Sequence, residues 1–230
     1  MFNTTKRTRY FDIDLLEDYK LEMGYNENGS RYYITPDGQK YPSVTTVLSK
    51  LNKDGIDQWK ARVGAEEAAK TMQQASTRGT AVHLIAENYL KNDEAYLKGH
   101  MPANVDTFKK IQPFLDKHVG VVRANEISLY SHELRTAGKC DLIAEVDGVL
   151  HILDFKTSKR RKPEAWIKNY FLQCTAYALM LYERTGIMCE HFTLLIATDE
   201  DGLQVVTKRT ADYTEEVRYV FKGHTIKDAL

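Results

Sequence analysis

Two apolar stretches joined by an Asp-Gly pair constrain the fold of this chain more than any other feature. Residues 136–145 and 150–157 flank Asp147-Gly148, and Asp-Gly between apolar runs is a strong signal for a two-residue β-hairpin turn. Apolar residues occupy both faces of the predicted hairpin, which is typical of a sheet covered by helices on both sides. We therefore predict an α/β fold with a central mixed sheet flanked by helices.

The turn also determines which residues face each other across the hairpin. It places Asp141 directly opposite Asp154 in a non-hydrogen-bonded pair, whose Cβ atoms lie roughly 4.5–5.5 Å apart. Two carboxylates this close repel each other, whereas a divalent cation between them turns the repulsion into coordination. Lys156 follows Asp154 by two residues and shares its face of the strand. The hairpin therefore predicts a metal site with a cationic neighbour.

Further from the turn, the same register places Lys139 opposite Lys156, and two facing lysines are unfavourable. We therefore expect the strands to separate beyond the two aspartates and to open a cleft at the metal site. A β-bulge near Gly138 is the simplest predicted cause.

Local signals predict the other elements. Short strands and turns occupy the first forty residues, where Pro36-Asp37-Gly38 marks a second hairpin. Ser43 is the predicted N-cap of the first helix. The predicted helices cover residues 44–51, 56–74, 77–90, 105–118, 163–184 and 211–228. The further predicted strands cover residues 121–130, 190–197 and 203–206.

The length of 230 residues fits one large domain, and the sequence contains no repeat or obvious linker. We therefore expect residues 1–230 to form a single domain. Within it we expect a mainly helical portion at residues 1–118, the sheet core at 119–210 and a C-terminal helix at 211–230.

The composition argues against several classes of protein. No run approaches the ~18 consecutive apolar residues of a membrane span, and the first six residues lack the apolar stretch of a signal peptide. The three cysteines form no C-x-x-C pair, so a zinc or iron–sulfur site built on cysteine is not expected. We expect a protein of the reducing cytoplasm, in a bacterium or a phage-infected host, with no membrane partner.

The net charge is zero, with 32 acidic and 32 basic residues. This balance counts against a non-specific nucleic-acid coat but permits a local basic groove. Lys156 and the run Lys159-Arg160-Arg161-Lys162 concentrate positive charge beside the two aspartates. A basic run alone is typical of a solvated loop, but this position favours contact with DNA.

Four elements, which occur along the chain in the order typical of the family, together resemble one family of enzymes. Asp141 followed by Asp154-Phe155-Lys156 resembles the PD-(D/E)xK nuclease signature. Arg78-Gly79-Thr80-Ala81-Val82-His83 resembles the G-T-x-x-H helix motif of RecB-type nucleases, and Gln173-Cys174-Thr175-Ala176-Tyr177 resembles their Q-x-x-x-Y motif. Pro42-Ser43-Val44-Thr45 resembles a segment of the mitochondrial genome-maintenance exonucleases and their phage relatives. The resemblance covers about residues 42 to 180.

The resemblance implies a restriction-endonuclease-like core and a metal-dependent deoxyribonuclease. Relatives with an iron–sulfur cluster carry four cysteines around the core, whereas this chain has three at other positions. The chain is therefore similar to the branch without a cluster. The implied partner is DNA, and replication, repair or recombination proteins are further candidate partners.

Each candidate site residue has a physical role. Asp141 and Asp154 are the predicted Mg²⁺ ligands, since magnesium uses one or two carboxylates and keeps several waters; Mn²⁺ is expected to substitute. By analogy with the family, the backbone carbonyl of Phe155 is a third ligand. Lys156 either holds the attacking water or stabilises charge on the phosphate. The alternative for Lys156 is a surface ion pair with Asp154.

Two more residues are candidate ligands with competing structural interpretations. A histidine on a helix, such as His83, is more often structural, but the preceding Gly-Thr and the resemblance favour a metal-site role. Glu126 precedes the hairpin in mid-strand, where related nucleases place an acidic ligand, and it is equally well explained as a solvent-facing glutamate.

The remaining candidates concern DNA binding. Gln173 and Tyr177 are four residues apart on a predicted helix and, with Trp166 and Tyr170, form a stripe along it. Such a stripe is usually core, but its polar member and the nearby basic loop suggest that one edge meets nucleic acid, where an aromatic ring stacks on a base. The predicted DNA-binding residues are Arg78, Thr80, Lys159, Arg160, Arg161, Lys162, Gln173 and Tyr177.

The sequence therefore predicts a Mg²⁺-dependent exonuclease that hydrolyses DNA through a metal-activated water and prefers single strands with a free end. A structure-specific endonuclease is the alternative within the enzyme class, although no recognition domain supports it. A catalytically silent DNA-binding protein with the same fold is the alternative outside that class. The third alternative is a structural α/β protein in which the D-x-K pattern occurs by chance.

Overall fold

Eight strands form two sheets within residues 20–222, which the computed structural model describes. A small antiparallel sheet contains β1 (Glu22–Tyr25), β2 (Arg31–Ile34) and β3 (Lys40–Pro42). The central sheet contains, in spatial order, β4 (Val119–Ser131), β5 (Thr136–Val146), β6 (Val149–Ser158), β7 (His191–Thr198) and β8 (Gly202–Arg209). Its neighbouring strands are antiparallel except β6 and β7, which are parallel.

Helices cover both faces of the central sheet. The helices of the described residues are α1 (Val44–Ser49), α2 (Lys53–Val63), α3 (Ala65–Leu90), α4 (Pro102–His118), α5 (Lys168–Thr185) and α6 (Thr214–Lys222), of which α2 buries no residue. Short 3-10 turns occupy Lys50–Asn52, Glu164–Trp166 and Thr210–Tyr213. The predicted α/β class is thus confirmed, and the topology is consistent with a restriction-endonuclease-like core. Within the described residues, no helix combines the length and apolar composition needed to cross a bilayer.

The hairpin of β5 and β6 separates two apolar cores, as its alternation predicts. Leu142 and Leu153 pack into the cluster that α3 and α4 cover. Ile143 and Ile152, one residue closer to the turn on each strand, pack into the cluster that α5 covers. All four side chains are at most 1% exposed. Burying each of them stabilises the fold by roughly 1.5–3 kcal/mol, which holds the hairpin in one register.

The predicted Asp-Gly turn and its register are confirmed. Val146 pairs with Val149, and the ladder continues to Leu142 opposite Leu153. It ends there, so the predicted direct pairing of Asp141 with Asp154 is wrong. Instead, the backbone N–H of Phe155 donates to Oδ2 of Asp141 at 2.8 Å. The Asp141 side chain thus occupies a backbone N–H of β6, and β5 and β6 separate one residue pair earlier than predicted.

The predicted bulge near Gly138 is also wrong. The irregularities between β4 and β5 lie between Val119 and Ala124, whereas Gly138 pairs regularly with Leu129. Gly138 is needed for a different reason: a Cβ atom there would lie 2.8 Å from the hydroxyl of Tyr177 and 3.0 Å from its Cε1. The glycine lets the Tyr177 ring approach the strand closely.

Gly138→Ala is expected to lower the free energy of unfolding by about 1–3 kcal/mol, because the added methyl group overpacks this contact. Tyr177→Phe removes the atom nearest to the new methyl group and should recover part of the loss. Urea unfolding of the two single variants and the double variant measures the coupling energy between the positions. Simple additivity of the two effects would contradict the proposed contact.

The helical boundaries differ from the prediction in several places. The chain breaks at Gly64, whose φ of 90° favours glycine, and α3 then runs unbroken through the predicted break at Ser76. Helix α4 begins at Pro102, a residue suited to the first helical position. Helix α5 begins at Lys168, after a 3-10 turn, rather than at residue 163. The predicted end of the last helix, at residues 223–228, lies outside the described residues.

A buried histidine lies at the turn end of the central sheet, away from the aspartates. His151 Nδ1 and Thr193 Oγ1 are 2.9 Å apart and hydrogen-bonded, and the His151 ring stacks on that of His191 with centroids 5.4 Å apart. Burial, followed by the proximity of His191, lowers the pKa of His151 to about 4. The folded state therefore binds this proton less readily than the unfolded chain, whose histidine pKa is about 6.5.

The free energy of unfolding should consequently fall as the pH drops from about 6.5 to 4, with His151 contributing about 1–3 kcal/mol. This contribution is fully present above the unfolded pKa. Urea unfolding at several pH values should show a flatter dependence for His151→Gln than for the native chain. His100→Gln is the matched control, and an identical pH dependence in all three proteins would rule out this role for His151.

Candidate active site

A cavity of about 490 Å³ opens where β5 and β6 separate, between the central sheet and α3. Its walls also include residues of β2, α1 and α5. The lining residues are Arg31, Thr45, Gly79, Thr80, His83, Leu84, Glu87, Glu126, Lys139, Asp141, Lys156, Gln173 and Tyr177. The predicted cleft is thus present, and candidate site residues from four separate stretches of sequence lie in it.

Three side chains from three elements converge in this cavity: His83 on α3, Glu126 on β4 and Asp141 on β5. Each offers one potential metal ligand, and these atoms all lie within 4.8 Å of one another. His83 Nδ1 is 3.4 Å from Oδ1 of Asp141 and 3.8 Å from Oε1 of Glu126. Glu126 therefore faces the cavity and His83 lies beside two carboxylates, and a metal-site role for both stays a prediction.

The hydrogen bonding of His83 indicates the role of each of its ring nitrogens. Nε2 lies 2.7 Å from the carbonyl oxygen of Phe155, which can only accept, so Nε2 donates. Nδ1 then faces two carboxylates, which is favourable only with a proton or a metal cation between them. An imidazole that donates its second N–H to a backbone carbonyl is also the usual arrangement of a metal-ligating histidine.

Burial opposes a charge on His83, but the Asp141 carboxylate and the hydrogen bonds to Asp141 and Glu126 outweigh it and raise the pKa of His83 to about 10. The pKa of Asp141 is lowered: burial would raise it, but the charge and hydrogen bond of His83 prevail, together with Lys156 and the Phe155 N–H. Since a ligating imidazole must be neutral, binding a cation here would release a proton.

Glu126 reaches the cluster through an unusual backbone conformation. Its φ is 55°, a left-handed value that costs a non-glycine residue roughly 1–3 kcal/mol. Glu126 sits opposite Asp141 in the register between β4 and β5, between the pairs Asn125–Leu142 and Ile127–Cys140. Such strain is typical of functional sites.

Asp154 occupies a different position from the one expected. Its side chain is buried, Gln173 Nε2 donates to its Oδ1 at 3.0 Å, and its Oδ2 contacts the ammonium of Lys156. Burial raises the pKa of Asp154 to about 6, although Lys156 opposes the shift. The three-residue cluster does not include Asp154, so its carboxylate holds Lys156 and lies beside the cluster.

Lys156 remains charged in this setting. Burial would lower its pKa, but the carboxylates of Asp154 and Asp141 outweigh burial and raise the pKa above the usual lysine range. The ammonium also lies 5.1 Å from the centroid of the Tyr170 ring. The cavity thus joins a fixed positive charge to a cluster of potential metal ligands.

The family of the chain follows from a comparison with known proteins. Residues 57–188 match the PD-(D/E)XK nuclease superfamily. The chain belongs to this superfamily. The matched segment contains His83, Glu126, Asp141, Asp154 and Lys156.

Two relatives of this PD-(D/E)XK protein illustrate the similarity. Mitochondrial genome maintenance exonuclease 1 of Mus musculus is 29% identical over 147 residues, which cover 59% of this chain. The chain spans 43% of the length of this curated relative. The crystal structure of a Eubacterium rectale protein assigned as an exonuclease is 16% identical, with a TM-score of 0.44, and the match covers 65% of this chain and 64% of that one.

The donor set of this PD-(D/E)XK site fits a divalent cation. It offers two carboxylates and one imidazole, and the carbonyl of Phe155 keeps a second lone pair beyond the one that His83 uses. Carboxylate and carbonyl oxygens are the ligands that Mg²⁺ and Mn²⁺ prefer. The chemistry of the cavity therefore agrees with the divalent metal that PD-(D/E)XK nucleases generally use.

The predicted DNA-binding residues divide into two groups. Thr80, Gln173 and Tyr177 line the cavity, although Tyr177 is only 3% exposed and Gln173 is bonded to Asp154. Arg78 instead donates to both carboxylate oxygens of Asp199, each at 2.9 Å.

The basic run lies against an acidic turn between β7 and β8. Arg160 Nε donates to Glu200 at 2.6 Å, and the backbone N–H of Arg161 donates to Asp201 at 2.9 Å. Residues 159–162 do not line the cavity described above. Since Glu200 and Asp201 offset part of its charge, DNA binding by Lys159, Arg160, Arg161 and Lys162 stays a prediction.

The sequence analysis missed Arg31, Thr45 and Leu84, which all line the cavity. Arg31 lies on β2 of the small sheet, far before the hairpin strands in sequence, so no local sequence pattern connects the two. Trp166, predicted to share the α5 stripe, lies in the preceding 3-10 turn and is 74% exposed.

Proposed function

We propose that this chain is a Mg²⁺-dependent exonuclease that hydrolyses phosphodiester bonds in DNA and prefers single strands with a free end. The observation that most supports this proposal is the convergence of His83, Glu126 and Asp141 beside the charged Lys156 in a member of a nuclease superfamily. Mg²⁺ is chosen over other divalent ions because carboxylate and carbonyl oxygens predominate among the available donors.

Each residue has a proposed role in hydrolysis. His83, Glu126 and Asp141 hold the cation, with the Phe155 carbonyl and Asp154 as further candidate ligands. A divalent cation, when bound, supplies Lewis-acid activation of water and neutralises phosphate charge. Lys156 orients the attacking water or stabilises negative charge developing on the phosphate.

Asp154 and Gln173 act on Lys156 rather than on the phosphate. Asp154 contacts the Lys156 ammonium and is itself fixed by the Gln173 amide. This chain of contacts holds the ammonium in place before substrate arrives, and such preorganisation is what makes a charged group effective in the transition state.

The helical segment before the site supports the single-strand preference. Helix α2 has no buried residue, and in residues 65–77 of α3 only Ala68 is buried. The second half of α3 is anchored in the core and carries Gly79, Thr80 and His83 into the cavity wall. We propose that the exposed helical segment forms one wall of a passage that admits a single strand to the site.

The exonuclease assignment is favoured over a structure-specific endonuclease by two observations. The mouse relative is named an exonuclease, and the zero net charge suits a grip on a few nucleotides better than a grip on a long duplex. An exonuclease of this kind would serve DNA replication, repair or recombination.

The testing experiment is digestion of end-labelled single-stranded and double-stranded linear DNA, closed circular single strands and single-stranded RNA, each with Mg²⁺, Mn²⁺ or EDTA. We expect cleavage of linear single-stranded DNA with either metal and none with EDTA. Rapid cutting of circles would contradict the end requirement, and a preference for intact duplex would contradict the passage. Binding without metal-dependent cleavage would favour the catalytically silent alternative.

A further inference from the structure

We propose that Arg31 and the hydroxyl-lined hollow beside it form a second phosphate subsite, which holds a phosphate of the single strand next to the one being cleaved. This inference rests on the proposed function for its substrate. It differs from it in assigning a binding role to the small N-terminal sheet, which lies outside the matched segment 57–188.

The first argument is the charge balance of the cavity. Besides His83, the described cationic side chains that line it are Arg31, Lys139 and Lys156. Lys139 is paired with Glu126 at 2.8 Å and Lys156 with Asp154. Arg31 Nη2 donates to the hydroxyl of Thr45 at 3.0 Å, and within residues 20–222 no carboxylate pairs with it. A guanidinium in the cavity wall with no carboxylate partner among the described residues is available to an anionic ligand.

The second argument is the chemistry of the adjoining hollow. It has a volume of about 330 Å³ and shares Arg31 and Thr45 with the first cavity, so the two are adjacent. None of the described residues that line it is acidic, and hydroxyl groups dominate its wall. These hydroxyls belong to Ser30, Ser43, Thr45, Thr46 and Ser49. Thr46 and Ser49 donate their hydroxyl protons to the backbone carbonyls of Arg31 and Thr46. The guanidinium, with the hydroxyls of Ser30 and Thr45 as further donors, matches the oxygens of a phosphodiester.

The third argument is the rigidity of the support. Arg31 lies on β2, and its guanidinium lies 5.8 Å from the ring centroid of Tyr33 on the same strand. The small sheet is joined to the central one by the bridge between Ser43 and Ala137, and Thr136 Oγ1 donates to the Pro42 carbonyl at 2.9 Å. Because the two sheets are joined, the Arg31 charge is held at a fixed distance from the cluster of His83, Glu126 and Asp141.

The test measures binding of a fluorescent single-stranded oligodeoxythymidine in EDTA over a range of salt concentrations. Arg31→Ala should weaken binding about tenfold, the usual scale for a lost hydrogen bond to a charged group. It should also reduce the log–log salt slope by about 0.7, the value for one phosphate contact on a single strand. Arg209→Ala, which removes an exposed arginine elsewhere on the surface, should change neither quantity.

Two further variants separate charge from folding. Arg31→Gln keeps a donor for Thr45 but removes the charge, so it should show the same loss of slope with a native melting temperature. Arg31→Lys should restore the slope but only part of the affinity, because an ammonium cannot bond a phosphate bidentately. In Mg²⁺, Arg31→Gln should raise KM about tenfold and leave kcat within about twofold.

The outcomes distinguish this inference from the proposed function. The subsite is overturned if Arg31→Ala and Arg31→Gln have the same salt slope as Arg209→Ala. This holds whether or not affinity falls, because a merely structural role would leave the slope unchanged. Arg31-dependent binding without metal-dependent cleavage supports the subsite and overturns the nuclease proposal. If the protein cleaves DNA but Arg31→Gln alters neither KM nor the salt slope, the nuclease proposal is supported and the subsite is overturned.

Discussion

Asp154→Asn is expected to reduce DNA cleavage by at least about 10³-fold, the upper scale for losing a preorganised charge in an active site. The amide is nearly the same size and can still accept from Gln173, but it loses the negative charge that holds the Lys156 ammonium. It also removes a carboxylate from beside the proposed cation. The measurement is the initial rate on end-labelled single-stranded DNA at saturating Mg²⁺.

The same variant should also be less stable, and here the structure changes the expectation. Repulsion between two aspartates alone would make the loss of one charge neutral or stabilising. Because Asp154 contacts Lys156, the substitution instead leaves a nearly buried ammonium with weaker compensation. We expect the free energy of unfolding to fall by about 1–3 kcal/mol, below the ~3–5 of a fully buried broken pair, since the Lys156 side chain keeps 19% exposure.

Asp106→Asn is the matched control, because Asp106 is an exposed aspartate on α4 and its substitution should change neither rate nor stability. A normal cleavage rate in Asp154→Asn would remove Asp154 from the proposed site. A normal stability with a large loss of rate would show that Asp154 acts on the cation and not through Lys156.

The parts of the fold that the sequence predicted correctly depend on local chemistry. Asp147-Gly148 permits the positive φ angles of 50° and 85° that the turn needs, and strict alternation then determines which apolar residues enter each core. The Ser43 hydroxyl accepts from the Thr46 N–H at 3.0 Å, as its predicted capping role requires. Each of these features is decided by residues within a few positions of one another.

The parts that could not be predicted depend on contacts distant in sequence. Arg31 reaches the cavity through the packing of a separate sheet, and the backbone conformation of Glu126 follows from its place opposite Asp141. Charge is a similar case. The basic run looks strongly cationic alone, but an acidic turn some forty residues later folds against it, and composition does not reveal which charges become neighbours.

Lys156→Ala should lower kcat by at least about 10²-fold, because it removes a charge positioned to act on the transition state. Its effect on metal binding should be different. His83, Glu126 and Asp141 remain, so Mg²⁺ or Mn²⁺ should still raise the melting temperature in a concentration-dependent manner. Parallel measurements of cleavage rate and metal-induced stabilisation separate these two quantities.

Two comparisons make this prediction specific to the position of the charge. Lys109→Ala removes an exposed lysine from α4 and should leave the rate unchanged. Lys156→Arg keeps the charge but replaces the compact ammonium with a planar fork, so it should recover stability through Asp154 more fully than it recovers rate. If Lys156→Ala instead lost metal affinity and rate by equal factors, Lys156 would only organise the metal ligands, and stabilisation of phosphate charge would have to come from the cation alone.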